Sequence, residues 1–588
     1  MYPIPKFLQY HDGVYAMGTC CADCDLLAFY NLVKAGAKGI KVQNVVLFEK
    51  EEYLLTVDEN GATLTVSCDE GLFRAVTTLY QMIREHQGNL PFVTINDKPD
   101  LKRRGYMLDI SRSRMPKVAL IKRYIDLLAL LKYNEFQLYM EVNCFKYSAY
   151  PKYTEGFDCL TPEDIEELDQ YCTDRFIDLV PNQNSLGHMG YWLKQDEFKH
   201  LALGDETHTE STTVNPLLPE TMEFLDNLYG SLLPHFRSEW LNVGMDEAFE
   251  LGKFQMEQHT KMYGKDIAFM EHLNRVDKLA RDKYDKKIMF WADMIYKYKD
   301  LYNMIPRDAI ALEWGYELIQ SQVMTAHCIE FQQAGVKYYV CPSCNTHLSF
   351  TGRFDVTSFN IRTAAEIARD YGAEGLLMTD WANTYAPHFP VWSMVPMALA
   401  GQYGWNIGAE QNGETFKAEF IHAAEKFVDF YVFGCEGVSR LLYRMANYYL
   451  LEPERIHVGT MCGEIFFQPL NETLHAPYFD LAVCGDDFYF DNVIGYVNNI
   501  LKDIEALPIC DKLKRQIAVN AKMVVLSAEH CKIRMSQTVS EEKKAELVAL
   551  SDWIAAEFKE LWLMDNYEEG VMNFVGVLET RKQELLAM

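Results

Sequence analysis

Basic residues are scarce in this 588-residue sequence. It has 56 Lys and Arg against 84 Asp and Glu, which gives a formal net charge of −28. This excess of negative charge repels phosphate backbones and anionic lipid surfaces, so we expect no nucleic-acid partner. Neutral or cationic small ligands fit the charge better.

The sequence also lacks the segments that direct a chain into or across a membrane. No apolar run reaches the roughly 20 residues that a bilayer-spanning helix needs. The first residues show no basic stretch leading into an apolar core, as a secretory signal would. The 15 cysteines, an odd and scattered number, favour buried thiols over a disulfide framework. We therefore expect a cytoplasmic protein without a membrane partner, and the sequence leaves a homodimer open.

Phosphate-binding loops and metal-ligand sets are missing as well. No Gly-rich loop follows a predicted strand, which argues against nucleotide binding. The segments Cys341–Cys344 and Cys20–Cys24 contain paired cysteines, but no second pair or matching histidines complete a structural zinc site. We therefore expect neither a metal nor a cofactor.

The residues that are present predict several folded domains. Hydrophobic residues make up 49% and aromatic residues 13% of the chain, enough for large cores in two to four domains. In residues 1–98, alternating stretches at Tyr53–Val57 and Ala62–Val66 accompany helical periodicity over Gly71–Arg84. This pattern predicts a small N-terminal α/β domain, closed by the polar stretch Thr94–Asp100.

Residues 99–405 alternate short β-branched and aromatic runs with amphipathic helical segments, which is typical of parallel βα units. Eight runs are predicted as strands: Gly105–Ser111, Glu135–Glu141, Phe176–Asn182, Trp240–Asp246, Ile288–Asp293, Ala309–Trp314, Lys337–Cys341 and Gly375–Asp380. Eight such units predict an α/β fold of the (β/α)8 TIM-barrel type, for which about 250 residues is typical.

Helix-start signals and the remaining segments complete the predicted architecture. Pro116 suits a first helical turn, and Thr161 suits a capping position. The segment Lys194–Pro219 is predicted as an insertion between the third and fourth strands. Residues 406–588, including Glu541–Leu561, show helical patterns without strand alternation, which predicts a C-terminal helical domain.

Aromatic and polar residues crowd the predicted strand ends, where barrel enzymes place their active sites. Trp291, Trp314 and Trp381 lie there, with several carboxylates, an arginine, a histidine and asparagines. Aromatic faces pack against the C–H patches of sugars, and planar polar side chains bind hydroxyls. Any single tryptophan could simply fill a barrel end, but three of only nine at this rim indicate a carbohydrate site.

The adjacent carboxylates Asp246 and Glu247 end the fourth predicted strand. Successive strand side chains point to opposite faces, so both could not lie inside a regular strand without burying an unpaired charge. Most Asp-Glu dipeptides are solvated pairs in loops or helix starts. At a barrel rim, however, one carboxyl could protonate a leaving oxygen while the other meets developing positive charge.

Their adjacency favours one glycosidase mechanism over another. Ordinary retaining enzymes hold two carboxyl groups roughly 5–5.5 Å apart across the scissile bond, which sequence neighbours do awkwardly. In substrate-assisted enzymes the sugar's own 2-acetamido oxygen attacks the anomeric carbon instead. One carboxylate then orients the acetamide and the other acts as the acid, which is consistent with Asp246 and Glu247.

Two motifs resemble glycoside hydrolase family 20. Arg104–Arg112, which spells Arg-Gly-Tyr-Met-Leu-Asp-Ile-Ser-Arg, resembles that family's first-strand motif. Asn242–Glu247 is similar to its Gly-x-Asp-Glu catalytic signature. The resemblance extends over nearly all of the first 400 residues and implies an exo-acting retaining β-N-acetylhexosaminidase. Its substrate would be an oligosaccharide or glycoconjugate with a terminal β-linked N-acetylhexosamine, cleaved through an oxazolinium intermediate.

The resemblance also implies individual roles. Asp246 would orient the acetamide and Glu247 would be the general acid. Arg112 would bind sugar hydroxyls, which a guanidinium fork suits, and His188 would lie behind the acid. The implied substrate-binding residues are Arg112, Glu141, His188, Trp291, Trp314, Tyr316, Asn345, Trp381 and Asn383. The acetamide-binding residue stays open among Tyr316, Asn345 and Tyr385, and Asn383, where relatives often carry an acid, leaves gluco or galacto preference open.

Two other functions remain open from the sequence. A barrel of this kind could bind carbohydrate without cleaving it, because fold does not guarantee activity. Alternatively, a β-glycosidase could use Glu141 or Asp293 as its nucleophile on sugars that lack the acetamide.

Overall fold

The computed structural model describes the chain in eight stretches: residues 1–18, 24–142, 144–382, 385–408, 414–470, 475–476, 479–480 and 488–588. These residues form an N-terminal five-stranded sheet, an eight-stranded parallel sheet with surrounding helices, and a C-terminal group of helices. The predicted fold class is confirmed. The predicted boundaries near residues 98 and 405 fall between these parts and stay predictions.

The N-terminal part is a mixed sheet covered by two helices. Its elements are β1 (Phe7–Ala16), α1 (Leu26–Lys34), β2 (Ile40–Asn44), β3 (Tyr53–Asp58), β4 (Gly61–Val66), α2 (Asp69–Glu85) and β5 (Asn89–Asp97). The strand order is β1-β5-β3-β4-β2. The prediction that Thr94–Asp100 is only a closing stretch is wrong for its first half. β5 pairs antiparallel with both β1 and β3, and this pairing satisfies the backbone of polar residues that alone suggested a loop.

A buried carboxylate joins this sheet to the barrel. Asp97 accepts hydrogen bonds from the hydroxyl of Tyr53 at 2.7 Å and the indole N–H of Trp405 at 2.9 Å. Its Oδ2 lies 3.2 Å from Nζ of Lys132, and both side chains are fully buried. Although Asp97 favours the charged form, burial lowers the pKa of Lys132 to about 8.

Eight parallel strands form the barrel. They are β6 (Arg103–Asp109), β7 (Glu135–Tyr139), β8 (Asp178–Val180), β9 (Trp240–Asn242), β10 (Lys287–Trp291), β11 (Ile310–Trp314), β12 (Lys337–Cys341) and β13 (Gly375–Asp380). Neighbouring strands pair in the order β8-β7-β6-β13-β12-β11-β10-β9, and a parallel bridge between Asn182 and Asn242 joins the two ends. Several strands are shorter than predicted, above all β9, which ends at Asn242 and not at Asp246.

Helices surround these strands. They are α3 (Val118–Leu130), α4 (Pro162–Thr173), α5 (Gly190–Leu193), α6 (Pro219–Leu232), α7 (Glu257–Tyr263), α8 (Lys265–Tyr284), α9 (Gln320–Ala334), α10 (Phe354–Tyr371) and α11 (Met394–Trp405). Thr161 caps α4 in a reciprocal capping box with Asp164, as its spacing predicts. The placement of Pro116 in a first turn is wrong, because α3 begins at Val118 and Pro116 bridges to Asn566 instead.

The C-terminal part is helical, as predicted, except for one pair of two-residue strands. Its elements are α12 (Glu414–Val428), α13 (Val438–Ala446), α14 (Met461–Ile465), β14 (His475–Ala476), β15 (Phe479–Asp480), α15 (Phe488–Glu505), α16 (Asp511–Ser536), α17 (Glu541–Asp565) and α18 (Val571–Ala587). It contacts the barrel directly: the N–H of Lys117 donates to the Asp565 carbonyl, and that of Tyr567 to the Met115 carbonyl. Within the stretches listed above, no helix has the length and apolar character needed to cross a bilayer.

Candidate active site

The loop after β9 holds its carboxylates in an unusual backbone conformation. Gly244, Met245 and Glu247 have φ values of 67°, 81° and 46°. Only glycine adopts this left-handed region without a steric penalty, so Met245 and Glu247 must be held there by their surroundings. Oδ2 of Asp293 accepts the N–H of Glu247 at 3.0 Å. This turn, and not a longer strand, brings Asp246 and Glu247 to the barrel rim.

His188 lies between three carboxylates. Its Nε2 is 3.2 Å from Oδ2 of Asp246 and 3.3 Å from Oε2 of Glu247, and its Nδ1 is 3.6 Å from Oε1 of Glu141. Burial disfavours a charged ring, but Asp246 and the other two carboxylates outweigh it and raise the pKa of His188 to about 12. The site therefore contains an imidazolium at neutral pH.

Arg112 is clamped by Glu141 and by two aromatic rings. Its Nε and Nη2 both lie 2.8 Å from Oε2 of Glu141, and its guanidinium lies 5.1 Å from the ring centres of Tyr139 and Trp381. Although burial opposes it, the contact with His188 and the charge of Arg112 lower the pKa of Glu141 to about 2. The guanidinium is thereby fixed in one plane, as recognition of neighbouring hydroxyls requires.

Four aromatic side chains form much of the cavity wall. The rings of Trp291 and Trp381 are 5.9 Å apart, and those of Trp314 and Tyr316 stack at 5.3 Å. The indole N–H of Trp381 donates to the Tyr316 hydroxyl at 2.9 Å. The indole N–H of Trp291 is buried without a partner among the described residues, so it is a donor available to a ligand. Such a surface combines apolar faces with a few oriented donors, which suits a sugar ring.

Asp293 adds a fourth carboxyl group at the rim. Burial, with the charge of Asp246 in second place, raises the pKa of Asp293 to about 8. Its Oδ1 is buried without a described partner, while its Oδ2 accepts the Glu247 N–H. The protonated form of Asp293 is therefore favoured, and the side chain supports the turn that carries Glu247.

The structure brings most of the predicted site residues to one cavity of about 340 Å³. The cavity is lined by Arg112, His188, Asp246, Glu247, Trp291, Trp314, Tyr316, Gln320, His347, Leu348, Trp381, His457 and Val458. Glu141 lies behind Arg112 and His188. Asn383 lies outside the described residues.

Two of the candidates for contact with the acetamide lie away from the cavity. Asn345 is fully buried and donates to the Tyr316 carbonyl at 3.3 Å, so it supports the wall and does not line it. Tyr385 stacks on Phe467 with ring centres 4.5 Å apart. Of the three residues left open by the sequence, only Tyr316 lines the cavity.

Sequence reasoning missed the remaining lining residues. His347 and Leu348 follow the end of β12, and Gln320 begins α9, so the rule that barrel sites lie at strand ends could have indicated all three. His347 is uncharged, because burial and the positive charges of Arg353 and Arg112 lower its pKa to about 3. His457 and Val458 come from the helical part, and no sequence signal places them at the barrel.

Metal ligation has no support in the described geometry. Cys341 and Cys344 are buried free thiols, whereas Cys20 and Cys21 lie outside the described stretches. In the part of the chain with assigned positions, no group of three His, Cys, Asp or Glu side chains could hold a metal ion.

The barrel, the paired carboxylates and the aromatic cavity together have the composition of a carbohydrate site. Two family models match the chain: "Glycosyl hydrolase family 20, catalytic domain" over residues 102–357 and "Glycosyl hydrolase family 20, domain 2" over residues 30–98. The chain belongs to glycoside hydrolase family 20.

Similar proteins agree with this assignment. A β-hexosaminidase from Vibrio furnissii is 27% identical over 249 residues, 36% of this chain and 40% of that protein. A lacto-N-biosidase from Bifidobacterium bifidum is 25% identical over 281 residues, 45% of this chain and 24% of that protein. The chain thus spans less than half the length of these two curated relatives. The structure of Flavobacterium johnsoniae chitobiase, 16% identical, matches with a TM-score of 0.60 over 100% of this chain and 99% of that one, which shows a shared fold.

Proposed function

We propose that this protein is an exo-acting retaining β-N-acetylhexosaminidase that removes terminal β-linked GlcNAc or GalNAc from oligosaccharides or glycoconjugates. One observation carries the proposal: the charged ring of His188 contacts Asp246 and Glu247 together at the rim of an aromatic cavity. The cavity volume of about 340 Å³ is near the lower end of the roughly 300–1,000 Å³ typical of ligand pockets. It suits one sugar with its acetamide group and not an internal stretch of a chain.

In the first step, the acetamide oxygen of the bound sugar attacks the anomeric carbon as the bond to the leaving oxygen breaks. Glu247 gives its proton to that oxygen, so the leaving group departs as an alcohol. The carboxylate of Asp246 orients the acetamide N–H and balances the positive charge of the oxazolinium ring. The positive charge of His188 offsets the repulsion between the neighbouring carboxylates.

In the second step, water attacks the anomeric carbon from the face that the leaving group vacated. Glu247 takes a proton from this water, the oxazolinium opens back to an acetamide, and the configuration is retained. Arg112, held by Glu141, binds outer hydroxyls of the sugar throughout, and the Trp291 and Trp381 rings pack against its apolar faces.

The alternative mechanism, in which a carboxylate of the enzyme attacks the sugar, is disfavoured by the contacts of Glu141 and the raised pKa of Asp293. Oε2 of Glu141 is paired with Nε and Nη2 of Arg112 at 2.8 Å each, and its Oε1 faces Nδ1 of His188 at 3.6 Å. Burial and the charge of Asp246 raise the pKa of Asp293, which favours its protonated form, and its Oδ2 already accepts a backbone hydrogen bond. Neither group is a free carboxylate available to attack a sugar, so the attacking oxygen is assigned to the substrate.

Hydrolysis of p-nitrophenyl β-N-acetylglucosaminide and β-N-acetylgalactosaminide, compared with plain β-glucoside and β-galactoside, tests the proposal. We expect turnover of the acetamido sugars only. Cleavage of the plain glycosides would favour an enzyme nucleophile, and binding of acetamido sugars without turnover would favour a carbohydrate-binding protein. The ratio of the rates on the N-acetylglucosaminide and the N-acetylgalactosaminide also measures the gluco or galacto preference, which the asparagine at position 383 leaves open.

Further properties stay proposals. We place the enzyme in the cytoplasm and keep a homodimer as its candidate assembly, which sedimentation velocity would test. Limited proteolysis near residues 98 and 405 would test the proposed domain boundaries.

A further inference from the structure

One part of the cavity wall comes from the helical part of the chain. His457 and Val458 line the same cavity as Asp246 and Glu247. They belong to residues 453–460, which connect the 3-10 turn Tyr448–Leu451 to α14. We call residues 453–460 the strap. Its presence at the cavity means that the active site is shared between the barrel and the helical part.

The strap is fixed to two barrel loops. The N–H of Val458 donates to Oε1 of Glu317 at 2.8 Å, and the N–H of Thr460 donates to the Leu348 carbonyl at 3.1 Å. Glu317 is itself paired with the buried Arg353 at 2.6 Å. Val458 has a φ of 69°, which a β-branched residue adopts only where neighbouring contacts impose it.

The start of α14 is held equally firmly. The Glu452 carboxylate accepts the N–H groups of Met461 at 2.8 Å and Cys462 at 2.9 Å. A Cβ at Gly463 would collide with the Leu348 carbonyl oxygen, so glycine is needed for the close approach. With its C-terminal half anchored in this way, the strap is part of the preformed cavity wall.

The geometry points to His457 as a specificity-determining residue that contacts the leaving-group part of the substrate, an inference that rests on the proposed function. The barrel interior beneath the cavity is packed with buried side chains such as Met289, Leu312 and Leu377. A substrate longer than one sugar must therefore extend outward through the mouth. His457 is an exposed residue of this cavity wall. An imidazole can both donate to and accept from the hydroxyls of a second sugar.

Two measurements on the full-length protein separate this role from general damage to the site. The first is kcat/KM for the disaccharide GlcNAc-β-1,4-GlcNAc, which fills the cavity and its mouth. The second is the inhibition constant of free N-acetylglucosamine, which fills the cavity alone. For His457→Ala we expect kcat/KM to fall about threefold to tenfold, the worth of one hydrogen bond, mainly through KM. The inhibition constant should stay within about twofold, well below that effect.

His457→Gln, which keeps a donor and an acceptor, should recover part of the loss. The control His86→Ala replaces another exposed histidine, which follows α2 in the N-terminal part, and should match the wild type. A parallel loss of disaccharide turnover and N-acetylglucosamine binding, or no loss at all, would overturn the inference. Absence of turnover of every acetamido sugar by the wild type would instead refute the proposed function, and this inference with it.

Discussion

Asp293 accepts the backbone N–H of Glu247 at 3.0 Å and thereby holds Glu247 at a φ of 46°. A side chain from the end of β10 thus determines where the proposed acid sits, although it is remote from it in sequence. The same contact explains why a left-handed backbone persists at this position. Two of the following predictions test this relationship directly.

Asp293→Ala, which removes the acceptor of the Glu247 N–H, should lower kcat more than it raises KM. Without the carboxyl group that donor is unpaired, which costs about 1–3 kcal/mol, or roughly fivefold to 150-fold in rate. Steady-state kinetics on an acetamido aryl glycoside measure this. Asp300→Ala, in an exposed position on the turn after β10, is the matched control and should leave both constants unchanged. Equal effects of the two substitutions would contradict the supporting role.

The protonated state of Asp293 should also appear in the pH dependence of stability. Its folded-state pKa of about 8 lies above the value of about 3.9 expected in the unfolded chain, so the folded state binds the extra proton. The stabilisation is therefore complete below about pH 4 and is lost as pH rises toward 8. As pH rises over this range, the unfolding temperature of the wild type should fall relative to that of Asp293→Asn, which has no titrating group at this position. A difference that does not vary with pH would show that Asp293 is ionised.

Glu247→Gln should separate substrates by leaving group. An amide cannot protonate the leaving oxygen, so hydrolysis of GlcNAc-β-1,4-GlcNAc should fall by about 10²–10⁴-fold. Activated aryl glycosides need less protonation and should retain more of their rate. Comparison of kcat for the two substrate classes decides the role, because an equal loss on both would not fit a general acid.

Asp246→Asn should lower turnover more than ground-state binding. Its charge acts mainly when the oxazolinium forms, so the loss belongs to the transition state. We expect kcat to fall by at least tenfold, consistent with removal of about 1.4 kcal/mol or more, while the inhibition constant of N-acetylglucosamine changes little. A weaker inhibition constant at unchanged kcat would assign Asp246 a binding role only.

His188→Gln should alter the pH profile of the reaction. In the wild type the ring stays charged up to a pKa of about 12, so no break attributable to histidine should appear between pH 5 and 8. Without this charge, three carboxylates face one another, and a proton on any of them is held more tightly. The alkaline limb of kcat/KM should therefore move to higher pH in the variant. If the alkaline limb of kcat/KM stays at the same pH, His188 does not interact electrostatically with Asp246 and Glu247.

The barrel and the acid pair could be predicted because both depend on short-range patterns. Short β-branched and aromatic runs separated by amphipathic helical segments indicate parallel βα units, and adjacent carboxylates cannot both lie inside a regular strand. Trp291, Trp314 and Trp381 followed from the rule that barrel sites lie at strand ends. These predictions needed no knowledge of how distant segments meet.

The missed features depend on long-range contacts. β5 looked like a polar loop because its partners β1 and β3 are far away in sequence. The proton on Asp293 depends on its burial beside Asp246, and the role of His457 depends on a strap 200 residues beyond the acid. None of these leaves a periodic signal, so only the folded arrangement reveals them.

The burial of Lys132 against Asp97 bears on how the enzyme can be engineered. Deleting the N-terminal sheet would remove Asp97, which contacts Lys132 and the Trp405 indole N–H, and would expose to water the side chains that the sheet now buries. A minimal catalytic fragment starting near residue 99 should therefore fail to express as a stable protein, even though every group that we propose to touch substrate lies beyond that point. A trimmed version of this enzyme would need polar residues in place of the apolar side chains that the missing sheet covers.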